Sequence, residues 1–191
     1  MRVSRLLGLR KDRLSSFFRI FIRLSVVISG LCIVIYFSPL KPRIQVRYYE
    51  IQGQVAYKMG NLGLAEEQYK KALEIEPQSK TSLLGLGQIA RHRRQYELAI
   101  ERYQRASLVE PNNGYTRAKL GVILMIKGHY RMATREFMKA YDLLPEDPVI
   151  NANLAVGYHY LGKFELRDLH YSRAKEFGYR QLNELDSTFR E

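Results

Sequence analysis

The chain has 191 residues, of which 46% are apolar and 26% charged. That is enough apolar material for a core and excludes a wholly disordered chain, and a single cysteine excludes an intramolecular disulfide framework and a cysteine-rich structural zinc site. The net charge of +12 is uneven: residues 1–43 hold nine Lys/Arg against one Asp, residues 44–191 hold 22 against 18, so the overall basicity is no signal for nucleic acid.

Residues 1–16 read as a basic arm carrying Arg2, Arg5, Arg10, Lys11 and Arg13. The run Leu24–Leu40 then has no charge, and extending it to Phe17–Phe37 gives 21 residues with Arg19 and Arg23 inside. A helix rises about 1.5 Å per residue and a bilayer core is about 30 Å thick, so this length spans a membrane if both arginines reach back to the headgroups. The pattern predicts one transmembrane helix over 17–38, anchored by Leu24, Val26, Val27, Ile28, Leu31, Ile33, Val34 and Ile35, with Tyr36 and Phe37 at the interface. Pro39 and Pro42 end it, and 39–45 reads as a linker. A cleavable signal peptide fits less well, for want of an A-x-A-like site; Leu31 before Cys32 argues against a lipidated cysteine. A mitochondrial transit peptide fits the arm in part and the hydrophobic span less. The charge excess before the span places the N-terminus in the cytoplasm and residues 44–191 across the membrane, which in a bacterium is the periplasm.

The remainder is periodic. Pro77, Pro111 and Pro145 are 34 residues apart, and stepping back from each gives Ala72, Ala106 and Ala140; Tyr69, Tyr103 and Phe137; Ala65, Ala99 and Ala133; and Gly53, Gly87 and Gly121. A fourth unit keeps Ala155, Tyr171 and Ala174 but puts Arg167 in a small-residue column and Tyr179 in the proline column. Each unit reads as two helices parted at Gly60-Asn61, Arg94-Gln95, Gly128-His129 or Gly162-Lys163. Proline ends each second helix, and one such hairpin cannot bury its apolar side without neighbours.

Leu86-Gly87…Tyr96…Ala99…Tyr103…Ala106…Pro111 and Leu120-Gly121…Gly128…Tyr130…Ala133…Phe137…Ala140…Pro145 resemble the tetratricopeptide repeat (TPR) family, over units 46–79, 80–113, 114–147 and 148–181. The expected fold is all-α: a solenoid of about four helix-turn-helix repeats, with Leu182, Leu185 and Phe189 on a short cap in 182–191, preceded by the transmembrane helix. The resemblance implies a right-handed superhelix whose first helices line a concave groove for a peptide or a partner helix. Helical direction puts Arg47, Glu50, Gln54, Tyr57 and Lys58 on that face in the first unit, and Thr81, Leu84, Gln88, Arg91 and His92 in the second. The third offers Tyr115, Ala118, Val122, Met125 and Ile126, and the fourth Val149, Ala152, Val156, His159 and Tyr160. Either the apolar far half receives a partner, or the C-terminal segment folds back and buries it. Some relatives clamp a C-terminal carboxylate; here Glu50, Gln54, Gly85, Gln88 and Tyr115 occupy those places and only Lys119 matches, so no such clamp is expected.

Arg91, Arg93 and Arg94, around His92, form a possible basic patch for an acidic partner, anionic lipid or polyanionic polysaccharide. Cations completing a helix C-terminus are the favoured reading. Gly85-Leu-Gly87-Gln-Ile-Ala90 matches a loose dinucleotide fingerprint, but no strand precedes it and the repeat explains Gly87 and Ala90. His92, His129, His159 and His170 form no close ligand pair, and Asp168 and His170 read as surface residues. No catalytic residue, metal site, cofactor or small-molecule substrate is expected. The sequence thus predicts a non-enzymatic scaffold that binds other proteins at a membrane, with two alternatives: an organellar import or complex-assembly receptor of opposite topology, and a polyanion-binding accessory of polysaccharide synthesis or export.

Overall fold

The computed structural model describes residues 21, 24–28 and 41–189. The chain divides into two units, Met1–Gln45 and Val46–Glu191. In the first, Phe21 and residues 24–28 are helical, with Phe21, Leu24, Val26, Val27 and Ile28 exposed. The arm 1–16 and the expected anchor residues Leu31, Ile33, Val34, Ile35, Tyr36 and Phe37 lie outside the described residues. Among the described residues no helix is long and apolar enough to cross a membrane.

Helix α1, Lys41–Lys58, begins inside the stretch expected to be linker. Pro42 does not stop it because a proline in a first turn forfeits no intrahelical hydrogen bond and has the right φ. Among the described residues eight further helices follow: α2 Leu62–Ile75, α3 Lys80–His92, α4 Tyr96–Val109, α5 Gly114–Ile126, α6 Tyr130–Leu143, α7 Pro148–Tyr160, α8 Phe164–Glu176 and α9 Leu182–Thr188. Consecutive helices from α2 to α8 pack on one another, so the second unit is an all-helical stack of hairpins of TPR type.

The turn inside each hairpin follows from one residue. Gly60, Gly128 and Gly162 have φ of +78°, +76° and +68°, the left-handed conformation that closes a helix end, and Arg94 takes it at +58°. In each case the following amide reaches back over the turn, from Asn61 to the Ala56 carbonyl (2.9 Å), Gln95 to Ala90 (2.8 Å), His129 to Leu124 (2.8 Å) and Lys163 to Tyr158 (2.9 Å). Between hairpins the cap is a side chain. Ser79, Asn113 and Asp147, one repeat apart, accept amide protons from the first turns of α3, α5 and α7.

Packing explains the columns. Ala65, Ala99 and Ala133 have no exposed surface, and neither do Ala72, Ala106 and Ala140. Each large aromatic lies against a glycine of the preceding helix: a Cβ on Gly53, Gly87 or Gly121 would stand 2.8, 2.6 or 2.5 Å from Tyr69, Tyr103 or Phe137. These close approaches let three rings fill the stack with at most 3% exposure each. The two tyrosines keep buried hydroxyls, and burial pushes both up to about 12.

The last hairpin is closed differently. Leu182, Leu185 and Phe189 pack with Ala152, Val156, Tyr171, Ala174 and Tyr179. Arg167, in the column where three alanines stand, lays its guanidinium 4.9 Å from the Phe164 ring and 5.4 Å from the Phe189 ring. The position thus holds a long side chain that lies on one ring of α8 and one at the cap.

Candidate functional site

First helices α3, α5 and α7 face one side of the stack, and α5 touches α7 directly. Between them lies a hollow of about 240 Å³ lined by Gln88 and Arg91 of α3, Tyr115, Ala118, Lys119 and Val122 of α5, Val149 and Asn153 of α7, and the ring of Tyr103 beneath. Its origin is one register position. In α3 that position is Gly85, whose backbone lies so close to Tyr69 that a Cβ would meet the ring at 2.3 Å. The same position in α5 is Lys119 and in α7 Asn153. A polar side chain therefore stands over Tyr103 where bare backbone stands over Tyr69, and the neighbouring helices leave space around it.

The hollow combines charge and apolar surface. Lys119 is half-buried, and its ammonium is pushed down from the usual lysine range first by that burial and then by the Arg91 guanidinium. Among the described residues neither cation has a carboxylate partner. Tyr115 and Val149 are exposed at the rim and Val122 is half-buried in the wall. An anionic group entering here would relieve the repulsion between Arg91 and Lys119, while an adjacent apolar side chain covered Tyr115, Val122 and Val149.

Six of the expected groove residues, Gln88, Arg91, Tyr115, Ala118, Val122 and Val149, meet in this hollow. Others are placed elsewhere. Ala152 is 2% exposed and, with Val156, is covered by α9, so the C-terminal segment does fold back over the fourth repeat. His159 meets Phe189 at 5.2 Å, and its Nδ1 is buried without a hydrogen bond among the described residues. Met125 packs into the core, its Cε near the bare backbone of Gly157. Tyr160 stacks on Tyr130 with centroids 4.3 Å apart and planes 4° apart. Tyr57 packs into the first hairpin and meets His92 edge-on, while Gln54 and Ile126 are exposed and away from the hollow. For Tyr57, Met125, Ala152, Val156, His159 and Tyr160 the reason is common: a helix face apolar enough to bind a partner is also apolar enough to pack, and in the fourth repeat the chain supplies its own cover.

The possible basic patch is also divided. Arg91 belongs to the hollow, Arg93 pairs with Glu66 of α2, and Arg94 forms the left-handed turn. Tyr103 was missing from the expected groove set; Lys119 stood there only as a match to a clamp that was not expected, and Asn153 not at all. The periodic comparison of Gly85, Lys119 and Asn153 carries the signal that would have found the latter two.

His170 corrects a second expectation. It is 7% exposed, not a surface residue, because α8 turns it inward onto Asn151 of α7. Asn151 uses its amide group as donor to the Pro145 carbonyl (2.8 Å) and the Asp147 carbonyl (3.0 Å). Its Oδ1 is thus left to accept from His170 Nδ1 at 2.9 Å, which fixes the tautomer. The Tyr141 and Tyr158 rings flank the imidazole at 5.2 and 5.5 Å. Burial pushes its pKa below the ordinary 6.5, so as pH falls through that value the unfolded chain takes up the proton first. Stability is therefore full above pH 6.5 and is lost as pH falls towards the lower folded value. Melting curves from pH 8 to pH 5 are expected to show a steeper fall in Tm for the wild type than for His170→Gln; equal slopes would mean that protonation of this imidazole is not what acid acts on.

Among the described residues no three His, Cys, Asp or Glu side chains converge to hold a metal ion. Residues 46–79 match the tetratricopeptide repeat family model. Among solved structures the chain is similar to MamA AMB-1, at 24% identity and a TM-score of 0.63 over 74% of this chain and 78% of that one. It is also similar to Pseudomonas aeruginosa pilF, at 21% and 0.68 over 78% and 71%. A third likeness is to the APC/C hetero-tetramer Cut9-Hcn1, at 19% and 0.67 over 77% of this chain and 29% of that one. At such identities the likeness is one of fold. No curated protein matches in sequence.

Proposed function

We propose that the chain is a membrane-anchored scaffold that holds a segment of a partner protein in the hollow between α3, α5 and α7, and so recruits or assembles a membrane or envelope complex. One observation carries this reading: the half-buried Lys119 beside the exposed Arg91, neither with a carboxylate partner among the described residues, between the exposed rims Tyr115 and Val149. The part played is binding, not catalysis. The uncharged run Leu24–Leu40 and the basic arm before it support the anchor, with the N-terminus cytoplasmic and the hairpins on the other side. An anchor of this kind raises the effective concentration of the hollow for membrane partners.

A photo-cross-linking residue at Val122 of the full chain, used in cells, tests both halves. The expected result is an adduct with a membrane or envelope protein, recovered in the membrane fraction and weakened about tenfold by Arg91→Glu. A control cross-linker at Leu108, exposed on α4, is expected to give no such adduct. Indistinguishable adducts from the two positions would sink the hollow; a Val122 adduct found only in the cytosol would sink the anchor and its orientation.

A further inference from the structure

A second candidate site lies on the other side of the last two repeats. The seams between successive hairpins differ in what fills them. At the first, Glu66 of α2 pairs with Lys70 at 2.6 Å and with Arg93 of the next hairpin. At the second, Lys127 pairs with Glu97 at 2.6 Å. At the third, the positions of Glu66, Lys70 and Arg93 are taken by Thr134, Met138 and Leu161, and no ion pair crosses it among the described residues. Gly157 stands where the earlier repeats have the buried Ile89 and Ile123. Thr134 Oγ1 already fills the place of a Cβ on Gly157, at 2.5 Å, and beside it lies an open cleft of about 630 Å³, against about 110 Å³ at the first seam.

The charge at its edge is also reversed. Glu97 and Glu101 of α4 become Arg131 and Arg135 one repeat later, on α6, and Lys163 faces them from the turn before α8. Among the described residues none of these three cations has a carboxylate partner, and no carboxylate lines the cleft. Two like charges one helical turn apart repel each other unless an anion is shared between them. Between the cations Met138 and Leu166 are exposed.

We propose that this cleft receives a helix of a partner protein carrying two carboxylates one turn apart beside an apolar stripe. The spacing of Arg131 and Arg135 along α6 matches such a pair, and the carboxylates supply the ion pairs that the first two seams make internally. The cleft has the volume of a ligand site but is an open trough, which suits the ridge of a helix better than an acyl chain that must be enclosed from water. The site is separate from the hollow and stands without the membrane reading.

Fluorescence anisotropy on the full chain in non-ionic detergent tests the proposal. The probes are a fluorescein-labelled amphipathic peptide of Glu, Leu and Phe with Glu at i and i+4, and the same peptide with Gln for Glu. The acidic peptide is expected to bind, to lose about tenfold or more in affinity on Arg131→Glu/Arg135→Glu, and about as much when its own Glu residues become Gln. Arg131→Gln/Arg135→Gln is expected to fall between, and Arg180→Glu, an exposed cation elsewhere, to bind as the wild type does. Circular dichroism of each variant separates lost binding from lost folding. No binding of the acidic peptide, or binding indifferent to the reversal of Arg131 and Arg135, overturns the proposal. So does soluble dihexanoyl phosphatidylglycerol binding in its place with the same sensitivity, which would make the occupant a lipid headgroup.

Discussion

Phe137→Ala is expected to cost about 3–5 kcal/mol of unfolding free energy, the range for removing a fully buried phenyl ring. The ring has no exposed surface and lies at the heart of the largest cluster, where α5, α6 and α7 meet. Its neighbours cannot readily collapse into the space, because the Gly121 backbone is already at closest approach. Domains have only about 5–15 kcal/mol in all, so the loss is a large share of the total. In a stack stabilised by nearest-neighbour interfaces, the damage also separates the first two hairpins from the last. Urea unfolding is expected to show a midpoint lowered by about 1–3 M, and hydrogen exchange to show protection lost first in α5 to α7. A midpoint within experimental error of the wild type would mean that the ring is not the keystone of this stack.

Gly121→Val is expected to be destabilising by about 1–3 kcal/mol, although valine is a better helix former than glycine. The new Cβ would stand 2.5 Å from Phe137 Cε1 and 2.9 Å from Cζ, inside any tolerable contact, and a ring with no exposure has no route out. The two effects are coupled. In a Phe137→Ala background the valine has room, so the double variant is expected to be more stable than the sum of the two losses predicts, by up to about 3 kcal/mol. Strictly additive losses in a double-mutant cycle would show that steric conflict with the ring is not the cause.

Both expectations begin from columns visible in the chain itself. A glycine and an aromatic recurring together one repeat after another state that a backbone must come close to a ring. The turns were legible for the same reason, although Arg94 shows that the chain tolerates a side chain where its own repeat prefers none. The fold of residues 46–181 was therefore readable before any contact was known. The site was readable in part. Gln88, Arg91, Tyr115, Ala118, Val122 and Val149 were found by helical direction, which says where a side chain points. Helical direction does not say what else arrives at the same place.

What the sequence determined by itself is whatever repeats: the all-helical hairpins, their 34-residue period, their turns and the residues that fill the stack. Periodicity reports interactions made again and again between neighbours of fixed spacing, and these are local along the chain. Whatever breaks the repeat was settled by packing in three dimensions. The cap α9 covers Ala152 and Val156, His170 turns inward onto Asn151, Lys119 stands over Tyr103, and a cleft edged by Arg131 and Arg135 opens at the third seam. Each outcome depends on competition among groups of the chain for the same place. That competition is settled by distances between residues far apart in sequence, which no spacing along the chain contains.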